Sequence, residues 1–182
     1  GNENFHLFAV QVDGSGVREL TPFKGTRVSV VDDLEDDPEH MIISMNRRDE
    51  RLFDVFRIHL PSGDLELQVE NPGNYTSYAT DLNGNVRFAI ASDGVNEKIY
   101  YRSAVGEPFE LIEEASWKST FSPIQFTYDN EKVWVASDLG RDKDALVLYD
   151  PETRTEEDVL YQHPQVDLLS VEFSDKREKL LG

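Results

Sequence analysis

Hydrophobic and polar residues alternate along most of the chain in short runs. In "NVRFAIAS", residues 85–92, Val86, Phe88 and Ile90 fall on one side, and Arg87, Ala89 and Ala91 on the other. This is the two-residue period of an extended strand. The small residues on the second side suit close packing of sheet on sheet. Turn formers interrupt the runs at Asp13-Gly14-Ser15-Gly16, Pro61-Ser62-Gly63-Asp64, Asn83-Gly84, Asp93-Gly94, Gly106, Gly140 and Pro151-Glu152-Thr153. Short strands between such turns predict antiparallel hairpins. The best helix candidate is "PFELIEEASWKS", and its place in the pattern predicts a strand followed by a loop.

The pattern recurs. "FHLFAVQVDGSGVRE" (5–19) matches "FDVFRIHLPSGDLE" (53–66): Phe5 with Phe53, Leu7 with Val55, Phe8 with Phe56, Val10 with Ile58 and Val12 with Leu60. Ser44, Ser92 and Ser137 close the second strand of successive cycles, at spacings of 48 and 45. Val55, Ile99 and Ala145 sit in successive third strands, at spacings of 44 and 46. A period near 45 with four strands per unit predicts an all-β fold, a β-propeller of four-stranded antiparallel blades. One blade buries neither face alone, so neighbours must stack. A sandwich of similar strand count offers no reason for the sequence to repeat.

On this reading residues 1–182 are a single propeller fragment. It consists of a half blade (1–22), three blades (26–71, 75–114 and 121–162) and a second half blade (167–182). That is about four blades' worth, a partial propeller. The chain opens part-way into a strand pattern and without Met, so it reads as an excised fragment with Gly1 as a cloning remnant. Its start has no signal-peptide pattern, and a targeting segment could belong to the missing part. The half blades supply complementary strand pairs. They predict closure within one chain or, because four blades make a cramped ring, pairing of two chains into a homodimer.

Composition narrows the partners. Of 182 residues, 38% are hydrophobic and 30% charged, with ten Phe, seven Tyr and two Trp, which suits an ordered, soluble domain. The net charge of −18 argues against nucleic acid and anionic membrane as partners. There is no cysteine, so disulfides and thiolate metal sites are excluded. The compartment stays open between cytoplasm and periplasm or export. No apolar run approaches the ~20 residues of a membrane span.

Candidate chemistry is sparse. Ser15 in "DGSGV" is the only serine between glycines, and it lies in a turn without the strand-to-helix context of a nucleophile. His6, His40, His59 and His163 are scattered and lack zinc-site spacing. His6 and His59 are expected at exposed strand positions. The acids Asp32, Asp33, Glu35, Asp36, Asp37 and Glu39 crowd "VDDLEDDPEH". No glycine stands at the sixth position of a calcium loop, and a solvated loop is expected. Arg47, Arg48 and Arg51 form the most basic spot. They are expected to pair with that loop, or to contact a partner domain. Trp117, Phe121 and Trp134 are candidates for a carbohydrate or peptide surface, with Trp134 expected in blade packing and Trp117 in a loop. No catalytic, metal-binding or cofactor-binding residue is assigned, and substrate-binding residues stay unknown.

The repeated corners "FSDKREKLL", "FTYDNEKVW" and "TDLNGNVRF" resemble the propeller repeats of TolB-like proteins and of the prolyl oligopeptidase family of serine peptidases. "NFHLFAV" before a DG turn, "LTPF", "VDDLEDDPEH", "NRRDERLFDVFRI" and "SGDLEL…ENPGN" are similar to the amino-terminal propeller of its acylaminoacyl-peptidase and dipeptidyl-peptidase-like branch. The resemblance covers residues 3–182 and is strongest over 3–74. It implies a non-catalytic accessory domain in proteolysis, gating or contacting peptide substrate for an α/β-hydrolase domain with a Ser-Asp-His triad. That domain is expected to lie outside this chain, which is therefore not expected to be an enzyme alone. The alternative is a stand-alone TolB-like propeller acting as a protein-interaction scaffold. A third reading, a propeller hydrolase, requires inward carboxylates around a central metal.

Overall fold

The computed structural model of the chain describes residues 4–174 and 179–181, and every regular element among them is a strand. A short hairpin, β1 (Phe8–Ala9) and β2 (Arg18–Glu19), comes first. The first four-stranded sheet holds β3 (Val28–Asp32), β4 (His40–Asp49), β5 (Leu52–His59) and β6 (Leu65–Val69). The second holds β7 (Tyr75–Thr80), β8 (Val86–Ser92), β9 (Glu97–Tyr101) and β10 (Glu110–Ala115). The third holds β11 (Phe121–Phe126), β12 (Val133–Ser137), β13 (Ala145–Asp150) and β14 (Thr155–Gln162). A last two-stranded sheet pairs β15 (Phe173–Ser174) with β16 (Lys179–Leu180). Within each four-stranded sheet the strands run in sequence order and every pairing is antiparallel. Short polar turns leave no length for a crossover, so each strand pairs with the next.

Three apolar clusters show how the sheets stack. Leu20, Leu7 and Ala9 of the hairpin region pack with Ile43, Ile58 and Phe56 of the first sheet. Ile42, Val55 and Val69 on the opposite face of that sheet meet Val86, Tyr78 and Phe109 of the second. Phe88, Ile99 and Tyr101 of the second meet Phe121, Phe126, Val133, Val135, Val147 and Tyr149 of the third. Phe88 and Phe126 have ring centroids 5.7 Å apart, and Phe121 and Tyr149 meet edge-to-face at 5.0 Å. Full burial of such side chains contributes up to roughly 1.5–3 kcal/mol each. Strand alternation feeds both interfaces of a sheet at once, so the first and second four-stranded sheets are apolar on both faces.

Neighbouring sheets are also stitched at one end. The Thr80 hydroxyl at the end of β7 donates to Asp32 at the end of β3. The Leu82 amide donates to Asn130 Oδ1 at 3.0 Å. Both contacts span 48 residues, one repeat of the sequence pattern.

Some local expectations hold and others change. Val86 joins the cluster shared with the first sheet, whereas Phe88 packs toward the third: the β7–β8 register shifts between Ala79 and Thr80, and a bulge between Val86 and Phe88 resets the alternation. The small residues Ala89 and Ala91 are buried. "PFELIEEASWKS" forms β10 and then a turn. Within the half blade expected over 167–182 only β15 and β16 form among the described residues, and residues 175–178 of the corner "FSDKREKLL" lie outside them. No helix among the described residues is long and apolar enough to cross a membrane.

Candidate functional site

β3, β7 and β11 are the first strands of the three sheets. β7 lies in contact with both of the others. A groove of about 890 Å³ runs along them, lined by residues 31–37, 57, 78–83, 123–125 and 128. Asp32, Asp33, Glu35, Asp36, Asp37 and Asp81 face Arg57 as the one basic lining residue. The loop read from sequence as solvated is therefore one wall of the groove, although Asp33, Glu35 and Asp36 are indeed exposed.

Leu34 holds that wall in place. It sits at a φ of 54°, a strained conformation for a side chain with a Cβ. Its amide donates to Asp32 Oδ1 at 2.9 Å, and its carbonyl accepts from the Asp37 amide at 2.7 Å. The side chain is buried with Ile42, Val55, Val69 and Val86. It packs over Gly84, where a Cβ would stand 2.5 Å from Leu34 Cδ2. Gly84 also has a φ of +74°. The glycine that sequence marks only as a turn former is thus needed for the acidic loop to seat.

The histidines converge more than their sequence spacing predicts. His40 and His59 are cross-strand partners on β4 and β5, with ring centroids 5.0 Å apart. His40 Nδ1 lies 2.9 Å from Asp37 Oδ2, and Arg57 donates to the same oxygen at 2.5 Å. The hydrogen bond from His40, followed by that from Arg57, holds the Asp37 carboxyl below the usual carboxylate range. His59 Nδ1 meets Ser62 Oγ at 2.7 Å, and that hydroxyl donates to Asp64 at 2.6 Å. His6 contacts Glu19 and is half-buried rather than exposed. His163 Nδ1 accepts from the Gln165 amide.

Arg47, Arg48 and Arg51 find partners, but not in the acidic loop. Arg48 forms a fork to Asp54, with Nε and Nη2 at 3.0 and 2.9 Å. Asp54 is buried and also accepts from the Asn71 amide at 2.8 Å. Arg51 pairs with Asp49 at 2.9 Å, and the Arg47 guanidinium lies 4.0 Å from the Phe23 ring centroid. Each finds a partner on its own sheet or the adjoining loop. Ser15 Oγ donates to Asp13 at 2.6 Å, which completes a turn. Trp117 is exposed, Phe121 is buried in the interface between the second and third sheets, and Trp134 is half-buried on β12.

This geometry supplies a strong negative field over an open groove. Among the described residues no group of three or more His, Cys, Asp or Glu is arranged to hold a metal ion.

Fold and sequence together place the chain in an all-β class related to dipeptidyl peptidases. It is 26% identical over 152 residues to dipeptidyl aminopeptidase BIII of Pseudoxanthomonas mexicana, a match covering 82% of this chain and 22% of that protein. It is 26% identical over 151 residues to dipeptidyl peptidase family member 6 of Caenorhabditis elegans, covering 76% of this chain and 20% of that protein. The chain thus spans about a fifth of the length of these relatives. No profile of a known family matches it.

Proposed function

We propose that the chain is the non-catalytic propeller portion of a dipeptidyl-peptidase-like serine peptidase, gating or contacting peptides bound for a hydrolase domain outside it. One observation carries this reading. Three sheets of sequence-ordered strands stack face to face and present their first strands to one acidic groove. Successive propeller blades around a channel have this arrangement. The relation to dipeptidyl peptidases supports it. A peptide's free amino group, with an ordinary pKa near 7.7–8.0, is largely cationic at neutral pH and is drawn into such a field.

The test uses the full-length protein with Asp33→Asn, Glu35→Gln and Asp36→Asn combined. At low salt kcat/KM for peptides with free amino termini falls about tenfold through slower capture. The loss fades above ~0.15 M salt, and kcat is unchanged. Equal kcat/KM in variant and parent at low salt rejects a substrate-contacting groove. The chain alone is expected to leave dipeptidyl substrates intact, and hydrolysis by it would reject the non-catalytic assignment.

A second reading, a propeller used as an interaction scaffold, is favoured by the outer side of the first hairpin, where Phe5, Phe8, Val10 and Val12 are exposed. Pairing of the two-stranded β1–β2 and β15–β16 sheets between copies would complete four-stranded sheets and give a homodimer. Light scattering showing a monomer at high concentration removes that assembly.

A further inference from the structure

Arg102, immediately after β9, carries a charge that no described carboxylate neutralises within ion-pair distance. The residue is only 6% exposed. Its Nε donates to the Val86 carbonyl at 2.7 Å, and its guanidinium carbon lies 4.7 Å from the Phe109 ring centroid. Neither contact brings a negative charge. Its Nη2 is sealed from solvent and has no protein partner among the described residues. Arg87 adds a second cation beside it, donating from Nε to the Arg102 carbonyl at 2.8 Å. Asp81, 3.2 Å from Arg87 Nη1, answers only one of the two charges. Burial, and then repulsion from Arg87, make it harder for Arg102 to hold its proton. Arginine nevertheless stays protonated in proteins, so the fold carries an unanswered buried cation. Such charges are costly unless paired.

Arg102 also forms part of the wall of a cavity of about 150 Å³, together with residues of the β13–β14 turn. About 10–15 Å³ of such space admits one water, so this cavity has room for a small organic ion. Tyr101, Glu107, Glu110, Glu152 and Arg154 complete the wall relevant here. Two of these carboxylates are engaged. Glu110 accepts from Arg154 at 2.6 Å, and Glu152 accepts from the Tyr101 hydroxyl at 2.9 Å.

We propose that this cavity binds a small monocarboxylate, with the Arg102 guanidinium as its counter-charge. With Nε on the Val86 carbonyl and Nη2 sealed from solvent, Nη1 is the atom left to donate a charge-assisted hydrogen bond to a carboxylate in the cavity. The cavity volume suits a ligand of a few heavy atoms. Three glutamates in the wall weigh against phosphate and other dianions. The cavity shares no lining residue with the acidic groove, so it stands independently of the peptidase reading.

Acetate is the probe. Titrated against chloride at fixed ionic strength, it is expected to raise the thermal unfolding temperature to a plateau. Saturation-transfer NMR is expected to show contact between the protein and the acetate methyl group. Arg102→Lys removes both effects. Because a change at a buried site risks the fold, two variants in the cavity wall accompany it. Arg154→Gln removes a cation and weakens acetate binding about tenfold, as expected for one charge-assisted hydrogen bond. Glu107→Gln removes a like charge and tightens binding. Identical unfolding temperatures in acetate and chloride overturn the proposal, as does an NMR signal unchanged in both arginine variants. Loss of stability in Glu107→Gln without gain in acetate affinity also overturns it, since Glu107 itself then supplies the counter-charge. Stronger stabilisation by phosphate than by acetate overturns the monocarboxylate assignment.

Discussion

Val10 and Ile58 hold matching places in two stretches of similar pattern, "FHLFAVQV" and "FDVFRIHL", yet Ile58 is fully buried and Val10 is 58% exposed. Ile58 lies on a strand with a neighbour on each side and the hairpin across its face. Val10 lies beyond β1, on the side of the hairpin away from the first sheet, where Phe8 and Val12 are exposed as well. Alternation marks which positions are able to pack; the partner surface decides which of them do.

The largest effect expected follows directly. Ile58→Ala is expected to cost about 2–5 kcal/mol in urea unfolding, because the site cannot collapse around the lost atoms. Val10→Ala is expected to stay within about 0.5 kcal/mol. Comparable losses at the two positions would break the contrast and mean that the outer hairpin side is covered in solution.

A smaller contrast separates two arginines three residues apart. Arg48 answers the buried Asp54, whereas Arg51 answers the exposed side of β4 through Asp49. Arg48→Ala leaves a buried carboxylate short of its fork and is expected to cost about 1–3 kcal/mol. It should fall toward the lower end, since the Arg48 side chain is 42% exposed and water can partly replace it. Arg51→Ala belongs with exposed pairs, at about 0–1 kcal/mol. Chemical denaturation of both variants under one condition tests the order.

The smallest effect concerns the edge of the groove. The folded-state pKa of Asp37 is depressed by His40 and Arg57. Its contribution is therefore fully present above the unfolded value, near 3.9, and is lost as the pH falls through the folded value. Unfolding free energies at pH 5 and pH 3 should differ less in Asp37→Asn than in the parent. An equal acid loss in both would show that the His40 and Arg57 contacts do not stabilise the fold.

Much of the strand architecture is legible in sequence because it depends on local features. A two-residue period and turn formers such as Asn83-Gly84 and Pro61-Asp64 specify strands and their joints without knowledge of neighbours. The groove is not legible in this way. Its walls come chiefly from residues 31–37, 78–83, and 123–125 with 128, separated by roughly one repeat, and only sheet stacking brings them together. The same holds for the His40–His59 pair and for the Arg48–Asp54 fork, which depend on β4–β5 register and on a bulge between Met45 and Asp49. Gly84 was visible as a turn residue, but its role as the seat of Leu34 required knowing what packs over it.

By itself, then, the sequence determined an all-β chain of short antiparallel strands, its acidic character and the repeating positions fit for burial. These follow from backbone geometry and side-chain polarity, which act within a few residues. Only the tertiary structure decided which faces are covered, which charges are answered, and that Arg102 is buried without a carboxylate partner among the described residues. Those outcomes depend on surfaces brought together across tens of residues, where packing and desolvation, rather than local preference, set the energies.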